Sequence, residues 1–204
     1  MKNTLFTSLV IAACILPAAC DEERVVADHD GVPHDKAAFV VTTDYTTGSA
    51  SVIDSVTRTV TKDVTQIHSD AVARYHDGKV YVVNRLGQDN IQILDPARNY
   101  ATVGQESVEP GSNPQDIAFA GGKAFVTRMD SNKILVVKPD SIEKIGEIDL
   151  TPLADADGFC EPGFMYSDGA RVFVSVLRLD RNNQYAPTDK SYVAVIDAAT
   201  DTLV

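Results

Sequence analysis

Four aromatic residues at near-even spacing constrain what this chain can fold into. Phe39, Tyr81, Phe125 and Phe173 follow one another at intervals of 42, 44 and 48 residues, each in the same local setting. The segments that hold them read AAFVVT (37–42), KVYVVN (79–84), KAFVTR (123–128) and RVFVSV (171–176). A polar turn and a second apolar run follow each: ASVIDS (50–55), NIQILDP (90–96), KILVVKP (133–139) and YVAVIDA (192–198). Three of these runs close on a hydrophobic residue and an aspartate, at Asp54, Asp95 and Asp197, where the third carries Lys138. Ahead of three aromatic segments lie DAVARYH, DIAFA and GFMYS, joined to them by DG (77–78), GG (121–122) and DG (168–169). Such dipeptides supply the positive φ angles of two-residue hairpins.

The runs are rich in Val, Ile, Phe and Tyr, and no capped 3.6-residue period occurs after residue 20, so the chain reads as all-β. A unit of about 40–45 residues carrying four antiparallel strands has the length of a β-propeller blade. Radial packing explains the composition. A blade buries both faces against its neighbours, so its strands become nearly continuous apolar runs and only short edges remain. A β-sandwich has strands of similar length but no reason for self-similarity at this period.

The expected fold is a β-propeller of four-stranded antiparallel blades at about 37–66, 70–112, 115–158 and 162–204. The first blade lacks strand one, because 29–36 is linker-like, and the last stops at the threshold of its fourth strand, Thr202-Leu203-Val204. That makes about three and a half blades in an open arc, whereas closed propellers run from about four to eight. The expectation is the N-terminal portion of a longer protein, or a truncated product, with a later segment supplying the missing strand beside Phe39.

VYVVNRLGQDNIQILDPA (80–97) resembles the YVTN repeat: a strand ending near Asn, a polar turn, and a strand closing on hydrophobic-Asp. GSNPQDIAF (111–119) is similar to the way blades of that family begin, with Gly and Pro before an acidic residue and the inner strand. The resemblance covers roughly residues 37–204 and departs most in the fourth blade, where Leu177–Ser191 is a 15-residue insertion. It implies a propeller in a surface or periplasmic protein. It implies no single activity, since the fold hosts binders, lactonases and dehydrogenases alike.

The N-terminus has the three parts of an export signal: Lys2, an apolar stretch from Leu5 to Leu16, and Ala18-Ala19 before Cys20. The apolar stretch is too short to span a bilayer, which takes about 20 residues. Cys20 after two alanines resembles the bacterial lipobox, whose Cys is acylated and becomes the new N-terminus. Pro17 stands where that motif usually has Leu, with Leu16 one place back. Ile11-Ala12-Ala13-Cys14 offers a second match but leaves an apolar stretch of barely nine residues. The reading is therefore a lipoprotein signal peptide at 1–19, lipidation at Cys20, a linker at 20–36, and an address in the bacterial cell envelope, periplasmic or outer-surface. The partner at that end is membrane lipid. Cys160 is then the only thiol left, and it reads as an intermolecular bridge, a free buried thiol, or half of a pair completed beyond this chain.

The formal charge of −11 becomes −12 once the first nineteen residues, with Lys2 their only charge, are removed. Such a surface repels phosphate backbones and no basic cluster offsets it, so no nucleic acid is expected. In propellers the loops after strands two and four share the usual binding face. Here that brings Asp44, Tyr45, Arg85, Arg128, Asp130, Arg178, Asp180 and Tyr185 to one side. Arginines from three neighbouring blades could clamp a carboxylate or phosphate; against this stands ordinary pairing with nearby aspartates. Asp155 and Asp157, with Asp149 before and Glu161 after, are oxygen ligands of the kind Ca²⁺ takes, though not an EF-hand. No other cofactor is expected. His68 and His76 bracket an inner strand and read as polar edge residues.

No Gly-rich phosphate loop, GxSxG or HExxH occurs, and there is no Trp. The leading expectation is a non-catalytic envelope lipoprotein whose loop face binds a small molecule, a glycan or another protein. The alternative is a periplasmic propeller enzyme, a lactonase or other hydrolase, with one catalytic residue per loop.

Overall fold

The computed structural model describes residues 36–204; the signal segment with Cys14, and Cys20 with the linker up to residue 35, lie outside them. Within the described residues β1 (Ala37–Thr43), β2 (Gly48–Asp54) and β3 (Val60–Ile67) make a three-stranded antiparallel sheet. The second sheet is β4 (Ala71–His76), β5 (Lys79–Asn84), β6 (Asn90–Asp95) and β7 (Ala101–Ser107). The third is β8 (Pro114–Ala120), β9 (Lys123–Arg128), β10 (Lys133–Val137) and β11 (Lys144–Asp149). β12 (Pro162–Ser167) and β13 (Arg171–Val176) open the fourth; a short hairpin, β14 (Leu179–Asp180) and β15 (Ala186–Pro187), interrupts it before β16 (Tyr192–Asp197) and β17 (Thr202–Leu203) complete it. Strands lie in each sheet in chain order, so every sheet is a meander. The expected strand count therefore stands: three strands in the first sheet and a stub for the last strand of the fourth.

Two of the three inner hairpins turn as the sequence indicates. Asp77 and Gly78 both have positive φ (43° and 76°), as do Gly121 and Gly122 (56° and 73°). The third is longer. His76 pairs with Lys79 in the second sheet, but Ser167 pairs with Val172 in the fourth. There only Gly169 takes a positive φ, and the Asp168 carboxylate accepts the amides of Ala170 and Arg171.

Alternate residues of one strand serve two different cores, which is why the runs are apolar throughout. Val80 and Val82 of β5 pack towards the first sheet with Val52, Leu94 and Tyr100. Tyr81 and Val83 of the same strand pack towards the third sheet with Ile117, Val126 and Leu135. A third cluster joins the third and fourth sheets through Phe125, Ile134, Val172, Val174 and Ile196. Each such side chain, fully buried, contributes about 1.5–3 kcal/mol. The repeat aromatics are the regular element of this packing: Phe39, Tyr81 and Phe125 each fill the junction with the following sheet. Phe173 has the same position but no described sheet beyond it, and its neighbours Phe164, Tyr166 and Val193 are exposed.

Among the described residues Cys160 is a free thiol, fully buried in the third cluster. Burial, reinforced by the Glu161 charge, pushes its pKa up to about 12. Gly48 begins β2 where the chain passes close to β3. A Cβ there would stand 2.1 Å from the His68 carbonyl oxygen, so only glycine fits.

Candidate functional site

Loops after the second and fourth strands do meet on one side, and hydrogen bonds between them show it. Arg85, after β5, donates through Nε to Asp70 Oδ1 at 2.9 Å, its Nη2 donates to the same oxygen, and Nη1 reaches Gln115 Oε1 at 3.1 Å. The Asp89 carboxylate accepts from the amides of Gly111 and Asn113. Asn132, after β9, donates to the Gly158 carbonyl and accepts from the Cys160 amide.

The three expected arginines share no partner, and the structure gives no joint anion clamp. Arg128 is wholly buried: Nη1 pairs with Glu109, Nη2 with Glu147 at 3.2 Å, and Nε has no partner. Burial alone would raise the Glu147 pKa, yet hydrogen bonds from Lys144 and Lys133 bring it down to about 2. Arg178 donates to the Lys190 carbonyl at 3.2 Å and lies 5.1 Å over the Tyr192 ring. Its Nε is buried without a partner. Arg85 and Arg128 thus act as cross-loop braces.

The residues suggested for Ca²⁺ are likewise engaged with the protein. Glu161 is fully buried; Oε1 accepts from Arg181 Nε at 2.6 Å and Oε2 from the Leu179 amide at 3.0 Å. Asp157 accepts from the amides of Arg181 (2.8 Å) and Phe159 (2.9 Å), and the first of these bonds holds its carboxyl below the usual range. Asp155 Oδ1 accepts the Asp157 amide, while Oδ2 is buried without a partner. Among the described residues no group of three or more His, Cys, Asp or Glu side chains is placed to hold a metal ion. Arg181, lodged between these groups, is the reason Glu161 is not a free ligand.

The structure does gather four of the expected residues. Asp155, Asp157, Arg178 and Asp180 line a cleft of about 320 Å³, joined by Asn182, Thr188 and Asp189. Asp130 lies beside it, accepting Arg181 Nη1 at 2.8 Å. Asp180 also caps the 3-10 turn Arg181–Asn183. Tyr185 is half-exposed, 5.8 Å from the Arg181 guanidinium. At the other end of the arc, Asp44 caps the amides of Thr46 and Thr47, and Tyr45 is 93% exposed. A second cleft of about 310 Å³ lies next to that loop, between the first two sheets. His68 borders it, with Nδ1 3.1 Å from the Asp70 carbonyl oxygen; His76 lies stacked on Phe119, rings 4.0 Å apart.

Arg181 is the loop-face residue that sequence reasoning passed over. Its signal was weak: a second arginine in the insertion, with acidic partners in other loops.

No family model matches this chain, and no curated protein does. Solved structures do. The hydrazine synthase of Kuenenia stuttgartiensis superposes with a TM-score of 0.57 at 18% identity, over 90% of this chain and 51% of that one. A streptogramin B lyase gives 0.59 at 13% identity, over 85% and 51%. BamB of Moraxella catarrhalis gives 0.50 at 14% identity, over 84% and 50%. The fold is that of a β-propeller. At these identities the likeness concerns the fold alone, and the chain spans about half the length of the proteins it matches. The narrower YVTN resemblance is not matched by any family model.

Proposed function

We propose that this chain is a cell-envelope lipoprotein, anchored through Cys20, whose propeller offers its loop face to a ligand without transforming it. The observation that carries the reading is a preorganised loop face. Cross-loop pairs at Arg85–Asp70, Arg128–Glu109 and Arg181–Asp130 brace the loops around two clefts of about 310 and 320 Å³. Binding surfaces held in shape before the ligand arrives lose less to ordering on association. The export signal and Cys20 support the envelope address, and membrane lipid is the partner at that end.

Two measurements on the full chain test this. Palmitate labelling in a bacterial host is expected to mark the wild type and to vanish in Cys20→Ser, which should move to the soluble fraction. Thermal-shift screening against amino acids, saccharides, Ca²⁺ and sugar lactones, with product analysis, is expected to show a stabilising ligand that is recovered unchanged. Turnover of a lactone would replace this reading with the enzymatic one.

A further inference from the structure

We propose that the cleft between the first two sheets is a saccharide site, selective for uncharged polyhydroxyl ligands. This deepens the binding-scaffold reading and rests on it. Eleven residues line the cleft, and none is Asp, Glu, Lys or Arg. In a chain that is 23% charged, with a loop face otherwise laced by ion pairs, that neutrality sets the cleft apart. Its chemistry is carboxamide and hydroxyl with one imidazole: Thr47, Gln66, Ser69, Asn84, Gln88 and Gln92, and His68.

The floor is fixed. Asn84 is 3% exposed; its Oδ1 accepts the His68 amide at 3.0 Å, and its Nδ2 donates to Asn90 Oδ1 at 2.9 Å. Gln92 is 6% exposed and donates through Nε2 to Thr102 Oγ1 at 2.7 Å. The rim is free. Among the described residues the side chains of Gln66, Ser69 and Gln88 have no hydrogen-bond partner in the protein. A carboxamide carries two donors and an acceptor on one planar group, and a hydroxyl serves as either. Groups of that kind satisfy vicinal hydroxyls, which also donate and accept, with no net charge on either side.

Charge selects in the same direction. The net charge of −11 repels acidic ligands, and the lining offers a cation no carboxylate. The loop that contributes Thr46 and Thr47 also carries Tyr45, 93% exposed and in the left-handed region at φ 69°. A bulky residue held there is costly, and its backbone is held by the Thr43 hydroxyl, which accepts its amide at 2.8 Å. An exposed phenol ring on the loop that lines an amide cleft offers the apolar face of a pyranose a surface to pack on.

A glycan array carrying neutral, acidic and amino sugars, probed with the full chain, tests the proposal. Neutral saccharides are the expected hits. Titration of the best hit into Gln66→Ala, Gln88→Ala and Tyr45→Ala is expected to weaken binding about fivefold to tenfold in each, one lost hydrogen bond or ring contact apiece. These side chains hold nothing else in place, so the variants should keep the wild-type melting temperature. No neutral hit, or neutral hits indifferent to all three substitutions, would overturn the saccharide site. A charged or protein ligand found instead would overturn it while leaving the binding scaffold standing; an array and a thermal-shift screen both empty would sink the two together.

Discussion

Arg181 shows how one side chain can organise a loop face. Its guanidinium donates to Glu161 at 2.6 Å, to Asp130 at 2.8 Å and to the Met129 carbonyl at 2.8 Å, and it lies 3.7 Å from the Phe159 ring centroid. Burial disfavours its charge, but Glu161 and Asp130 more than offset that and raise its pKa. Removing it strands Glu161, which is fully buried and otherwise has only the Leu179 amide. Arg181→Ala should therefore cost about 3–5 kcal/mol in urea unfolding, and adding Glu161→Gln should recover part of it. A cost under about 1 kcal/mol would mean that Glu161 finds water or a proton instead. Sequence reading chose Arg178 rather than Arg181 because both lie in the insertion and spacing does not tell them apart. What separates them is Glu161, twenty positions before Arg181 in a different loop.

At the scale of the strand, the repeat motif can be given a cause. The hydrophobic-Asp ending is a turn cap: Asp54 accepts the amides of Val56 and Thr57, Asp95 that of Ala97, and Asp197 those of Ala199 and Thr200. In the third sheet Lys138 has replaced the cap and closes the turn by pairing with Glu143 at 2.7 Å. The repeat aromatics were legible for a similar reason, since packing at a sheet junction demands bulk at a fixed place in every unit. The loop pairings were not legible, because they join elements whose spatial order the repeat fixes but whose side-chain directions it does not. Matched truncations test the aromatic pattern. Phe125 is fully buried between the third and fourth sheets, and Phe125→Ala should cost about 3–5 kcal/mol. Phe173→Ala, on the uncovered face, should cost less than half as much in the described chain. Equal losses would show that something further packs against Phe173.

Across the whole molecule, two electrostatic effects oppose each other as pH falls. The net charge of −11 is self-repulsive, so protonating carboxylates relieves it. Yet many of those carboxylates are turn caps or braces whose pKa the fold lowers: Asp54, Asp168 and Asp197 through backbone amides, and Glu147, to about 2, through Lys144 and Lys133 against the opposing effect of burial. A group whose folded pKa is depressed adds stability that is complete above its ordinary value of about 4 and disappears as pH falls through the folded value. The caps act over one hydrogen bond, whereas repulsion between surface charges is screened beyond about 8 Å at physiological salt. The local effect should win. The urea midpoint is expected to stay level from pH 7 to about 5 and to fall steadily from about 4 towards 2. A midpoint that rises on acidification to pH 3 would show instead that relief of repulsion governs this acidic chain.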